Sequence, residues 1–183
     1  MMKRYGLGMA LMLGVVGCSG SVVHERSDPF YEGGIHYSDP IALKNTRFDL
    51  ESGGYMTVVL EKVQAKDASP NFDFKIRCGL RKGLLMDVAD GDTLLVTIDG
   101  QGSRYSSAQG SAGGQPAPGA RRPEKPYILY DQVAADDLRA MAKGKKVVFE
   151  VRGTLHSVSG EFSKDDLVVL NEFVNSQVTG AAQ

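Results

Sequence analysis

The segment Phe72-Asp73-Phe74-Lys75-Ile76-Arg77-Cys78 alternates without a break between apolar and charged residues. A period of two arises when successive side chains point to opposite sides of a β-strand, so Phe72, Phe74, Ile76 and Cys78 share one buried face and Asp73, Lys75 and Arg77 the other. Such a strand needs a neighbour. The β-branched and aliphatic run Tyr55 to Val63 supplies one, and Ser69-Pro70-Asn71 supplies the turn, so an antiparallel pair is expected. Leu94, Val96 and Ile98 repeat the pattern within Thr93 to Asp99. Asp99-Gly100, both tolerant of positive φ, then predicts a tight hairpin whose return strand runs to about Ser106.

The C-terminal third mixes the two periods. Tyr127 to Tyr130 predicts a strand, Ala134 to Lys143 a helix stopped by Gly144, and Val147 to Arg152 a strand with Val147, Phe149 and Val151 on one face. Gly153-Thr154 is expected to turn the chain into a short partner, Leu155 to Val158. Next, Ser163 reads as an N-cap, Asp165 and Asp166 sit near the positive helix end, and Phe162 staples against Leu167. Leu167, Leu170, Val174 and Val178 continue as an apolar stripe at helical spacing, with Phe173 beside it. These elements predict one α+β domain over residues 48–178: a mainly antiparallel sheet of about six to eight strands with two C-terminal-half helices packed on it, then a tail at 179–183.

Composition bounds the rest. The 183 residues suit about one domain, 42% are hydrophobic, and 21 Lys+Arg nearly balance 22 Asp+Glu. With no strong net field, no nucleic acid is expected as a partner. Residues 102–125, rich in Gly, Ser and Pro and with no aliphatic larger than alanine, read as a long surface loop.

The N-terminus has its own logic. Met1-Met2-Lys3-Arg4 is a basic head, and the thirteen residues Tyr5 to Gly17 carry no charge. As a helix at ~1.5 Å per residue they are too short for a hydrocarbon core of ~30 Å, so the layout is that of a secretory signal. Val15-Val16-Gly17-Cys18 resembles the lipobox of bacterial lipoproteins, with Val15 where the family pattern usually has Leu. That resemblance implies removal of residues 1–17, a diacylglyceryl thioether on Cys18, usually an acyl chain such as palmitate on its new amino group, and retention on a membrane. Ser19 after the cysteine implies transfer to the outer membrane, with the domain in the periplasm. Residues 18–47, with Ser27-Asp28-Pro29, Gly33-Gly34 and Ser38-Asp39-Pro40, read as the lipidated Cys and a tether.

Candidate chemistry is sparse. His24 and His36 fall in the expected tether, and no His-x-x-x-His, Glu-x-x-His or Cys-x-x-Cys spacing exists for a metal; no cofactor is called for. Cys78 reads as a buried thiol, and the pairs Asp136-Asp137 and Asp165-Asp166 read as first-turn helix acids rather than catalytic carboxylates. Arg152, Thr154 and His156 could share one exposed strand face and form the candidate ligand face. Over roughly Asp90 to Val178, the Tyr, acidic helix, VVFEVRG hairpin and FSKDDL helix resemble a pattern of uncharacterised exported proteins and lipoproteins of Gram-negative bacteria. That resemblance lends no catalytic residue. The expectation is a membrane-anchored cell-envelope lipoprotein, a non-enzymatic binding or assembly module with an envelope protein partner. The alternative is an envelope enzyme or enzyme inhibitor acting through the His156 face or the loop after Asp99.

Overall fold

A computed structural model of the chain describes residues 22–28, 31–64, 69–80, 86, 88, 91–107 and 127–179. In chain order the elements are β1 (Val23–Asp28), β2 (Tyr31–Ser38), β3 (Ile41–Ala42), β4 (Lys44–Phe48), β5 (Glu51–Ser52), β6 (Gly54–Val63), β7 (Asn71–Leu80), β8 (Gly91–Ile98), β9 (Gln101–Ser107), β10 (Ile128–Tyr130), α1 (Ala135–Lys143), β11 (Val147–Arg152), β12 (Ser157–Glu161) and α2 (Lys164–Phe173). A π-helical segment, Val174–Thr179, continues α2. The fold is α+β, mainly antiparallel, with both helices in the C-terminal half.

The strands form two sheets rather than the single one expected. One runs β1-β2-β6-β7-β10, with β3 also paired to β6; the other runs β5-β4-β12-β11-β8-β9. Alternation decides which face is inside: Met56, Val58 and Leu60 of β6, Phe74 and Ile76 of β7, and Val96, Val147, Phe149 and Val151 of the second sheet are buried in one continuous core. The Phe74 and Phe149 rings meet across it, their centroids 5.3 Å apart. At about 25 cal/mol per Å² of apolar area removed from water, this core dominates the stability of the domain.

The chain switches sheets at Leu43. On its N-terminal side Ile41 and Ala42 pair with Val58 and Thr57 of β6; on its C-terminal side β4 pairs with β12. Leu43 itself is buried, and its N–H donates to Met56 O at 3.0 Å. Space for the crossing comes from Gly160 of β12, because a Cβ there would stand 2.9 Å from Leu43 Cβ. Further along β4, four residues (Lys44 to Arg47) oppose three on β12 (Glu161 to Ser159), and Asn45 absorbs the extra residue at φ 51°, a β-bulge built on a residue that tolerates left-handed backbone.

The expected tether is therefore corrected. From Val23 to Arg47 the described chain is mostly strand, with β2 and β3 hydrogen-bonded to β6 and β4 to β12. Edge strands and strands made by distant pairing need no apolar alternation of their own, which is why the segment looked featureless. The Asp99-Gly100 hairpin is present, with both residues at positive φ (49° and 92°) and β9 reaching Ser107. The remainder of the expected 102–125 loop and the tail beyond Thr179 lie outside the described residues.

The helices form as their sequences require. Ser163 caps α2, its hydroxyl accepting from the Asp166 N–H while the Asp166 carboxylate accepts from the Ser163 N–H. Leu170 and Phe173 of α2, Val174 and Val178 beyond it, and Leu138 and Met141 of α1 enter the core. Both acidic pairs stand in first helical turns, so their position accounts for them.

Candidate functional site

The β11–β12 connection is a four-residue turn, Gly153 to His156, closed by the Gly153 N–H donating to His156 O at 2.7 Å. Strand β12 accordingly starts at Ser157, two residues later than expected. Arg152 ends β11 with its Nε 2.7 Å from Glu150 Oε1, whereas Thr154 and His156 belong to the turn. The shared strand face expected for Arg152, Thr154 and His156 is thus broken, because the turn takes up the residues that alternation assigned to a strand.

What holds His156 comes from far away in the chain. Its Nδ1 lies 2.5 Å from Asp49 Oδ2, and its ring packs at a tilt on Phe48 with centroids 4.8 Å apart. The other Asp49 oxygen accepts from the Ser157 N–H at 2.6 Å, and the Asp49 N–H donates to Ser157 O at 2.9 Å. That backbone donor, with the adjacent imidazole, holds the Asp49 carboxyl below the usual carboxylate range. Asp49 and Leu50 reach this geometry at φ 48° and 75°. Two neighbouring turns are thereby pinned together, each presenting one leucine to solvent: Leu50 is 87% exposed and Leu155 84%. Asp49 was not singled out in the sequence, where its only signal is the turn composition of Asp49-Leu50-Glu51-Ser52-Gly53.

Two depressions lie on the outer face of the second sheet. The larger, about 530 Å³, is lined among others by Asn45, Arg47, Ser52, Lys146, Ser159 and Glu161. The smaller, about 250 Å³, lies over Thr97, Gly100, Lys146 and Val148, so the two share Lys146 and Val148 and make one open trough. The Asn45 bulge lies at its rim. Lys146 Nζ is 3.9 Å from Glu161 Oε2, a loose ion pair, and Arg47 has no carboxylate partner among the described residues. Neither depression is lined by Arg152, Thr154 or His156.

The outer face of the first sheet holds a different group of charges. Glu61, 6% exposed, pairs with Lys75 Nζ at 2.7 Å, and Asp73 stands directly across from Glu61 in register. Burial, then the charges of Glu61 and Asp131, push the Asp73 carboxyl up to about 6, against the pull of the Gln132 N–H and Lys75. Alternation placed Asp73 and Lys75 on the correct face, yet both are half-buried.

Cys78 is enclosed in the core, where burial pushes its thiol up to about 12; it is a packed thiol rather than a nucleophile. Cys18 lies outside the described residues. Among the described residues no three His, Cys, Asp or Glu side chains are placed to hold a metal ion, and no helix is long and apolar enough to cross a membrane. No protein-family model matches the chain, and neither a curated protein nor a solved structure matches it.

Proposed function

We propose that the chain is a lipid-anchored protein of the bacterial cell envelope, lipidated on Cys18 after removal of residues 1–17 and sorted to the periplasmic face of the outer membrane. It works there as a non-enzymatic binding module, docking an envelope protein partner in the trough on the outer face of the second sheet. One observation carries the binding reading. The core side chains fill the space between the sheets, while the trough is open and presents Arg47 with no carboxylate partner among the described residues and Lys146 with only a distant one. Those two cations around Glu161 suit an extended polypeptide segment bearing carboxylates, which would gain charge-assisted hydrogen bonds there.

The alternative of an enzyme or enzyme inhibitor acting through His156 draws on the Asp49–His156 pair, since a carboxylate on Nδ1 orients an imidazole for base chemistry. Against it, the pair sits on an exposed turn and the same carboxylate is already engaged by the Ser157 N–H. The loop after Asp99 lies beyond Ser107 outside the described residues.

The anchor is tested with Cys18→Ser, which should abolish lipid labelling and leave uncleaved precursor. Docking is tested by reversing Arg47 and Lys146 to Glu in the full-length chain and cross-linking in membranes. Loss of the wild-type adducts with the domain still folded supports the trough; adducts that persist there but vanish in His156→Ala would move the site to the turn.

A further inference from the structure

We propose that the β1 edge of the first sheet lies directly against the lipid surface, an inference that rests on the lipid anchor at Cys18. The fold takes hold of the chain very early. Val22 O accepts a hydrogen bond from the Asp39 N–H at 2.9 Å, Val23 packs against the core, and β1 pairs with β2 from Val23 onward. Only Ser19, Gly20 and Ser21 separate Cys18 from Val22. Four peptide steps at ~3.3–3.6 Å span at most about 14 Å.

That reach limits the orientation. The polar headgroup region of one leaflet takes up about 5–7 Å, the difference between the full bilayer and its hydrocarbon core shared over two sides. What remains is less than the ~10 Å spacing of two packed sheets. The domain cannot carry the corner where β1 begins away from the membrane without unpairing β1. The surface nearest the anchor is the one that has to face the lipid: exposed His24, Glu25, Arg26 and Ser27 on the edge strand, and exposed Asp39 bridged to His24 at 2.7 Å.

The chemistry of this edge agrees with its neighbour. Its charges alternate in sign, so it presents hydrogen-bonding groups to headgroups of either charge without demanding an anionic membrane. Charged side chains also keep an edge strand from recruiting another strand, and a bilayer alongside it removes the space that strand would need. The outer face of the second sheet belongs to the other half of the sandwich and stays open to a partner.

The test uses the full-length lipidated chain in vesicles of phosphatidylethanolamine and phosphatidylglycerol. Arg26→Cys and Leu155→Cys are labelled singly with a fluorophore, Cys78 being enclosed in the core, and the lipids carry a headgroup quencher. The label at position 26 should lose most of its fluorescence. Inserting twelve Gly/Ser residues between Ser21 and Val22, a root-mean-square reach of about 20 Å, should restore it. An unquenched label at position 26 on chains that float with the vesicles, or quenching indifferent to the insertion, would overturn the proposed seating and leave the anchor standing. Chains that carry no lipid and fail to float would remove the anchor, and this inference with it.

Discussion

The hydroxyl of Tyr130 lies 3.1 Å from Thr93 Oγ1, joining the last strand of one sheet to the other sheet. A shift in the β8–β9 register makes the meeting possible: Asp92 pairs with Ser106 and Leu94 with Tyr105, which leaves Thr93 as the extra residue of a bulge. Leu43 closes the opposite side covalently, so this hydrogen bond is the polar counterpart of the strand crossing. Tyr130 is fully buried, and its burial pushes the phenol above the ordinary range. Tyr130→Phe should cost about 0.5–1.5 kcal/mol, and a double-mutant cycle with Thr93→Val should recover most of it as coupling. Additive single effects in urea unfolding would mean that the seam is held by packing alone.

The crossing at Leu43 depends on the missing side chain of Gly160. Gly160→Ala places a methyl 2.9 Å from Leu43 Cβ, an atom that cannot swing away without the backbone. A loss of about 1–3 kcal/mol is expected, as for other overpacked sites. Gly102→Ala is the comparison, because its new methyl would come closest, at 3.2 Å, to the far end of the Leu95 side chain, with its other neighbours 4.0 Å away. It should stay within about 0.5 kcal/mol. Equal thermal shifts for the two variants would show that the corner relaxes freely.

Asp73 should make the domain less stable as the solution becomes more basic. Its folded-state carboxyl, at about 6, sits above the ordinary 3.8, so the folded chain holds this proton more tightly than the unfolded one. Stability from this group is full below pH 3.8 and is lost as pH rises through about 6. Two units would amount to about 3 kcal/mol, and partial access of water reduces that to roughly 1–2. Asp73→Asn should therefore stabilise the domain by this amount at pH 8 and bring no gain near pH 3.5. Denaturant titrations at the two pH values decide it; a destabilised variant at pH 8 would mean that the carboxylate is the better partner for Lys75 and the Gln132 N–H.

In the C-terminal half, capping and packing should outweigh the exposed histidine. Leu170→Ala is a truncation in the core and should cost ~2–5 kcal/mol, Ser163→Ala removes half of a capping box and should cost ~0.5–2, and His156→Ala should cost no more than ~0.5. Unfolding of the soluble domain begun after Cys18 measures all three. Should His156→Ala rival Leu170→Ala, the contacts with Asp49 and Phe48 would be a main support of the second sheet rather than a surface clasp.

The contrast between what was and was not legible follows sequence distance. The β6–β7 pair, the Asp99-Gly100 hairpin, α1 and the Ser163-capped α2 are each specified within a few residues, by alternation, turn chemistry or a cap. β1, β2 and β4 are not. Val23–Asp28 contains a single apolar residue, and β4 owes its strand to β12, more than a hundred residues away. The same distance hid Asp49 from His156, and it hid the trough, whose walls come from β4, β5, β11 and β12 together. Alternation could name the face that Asp73 occupies but not its burial, which depends on what lies over the sheet.

Strand β4 also sets the order in which the molecule can be completed. A chain emerging from its N-terminal end releases Lys44–Phe48 long before Ser157–Glu161, and until then the β12 side of β4 is unsatisfied and Leu43 has no Gly160 to cross. Closing so long a loop is slow, and it cannot begin early. A C-terminal truncation ahead of β12 would thus yield an open, adhesive fragment rather than a smaller domain. The second sheet can therefore be completed only once the last quarter of the chain is available to pair with its first.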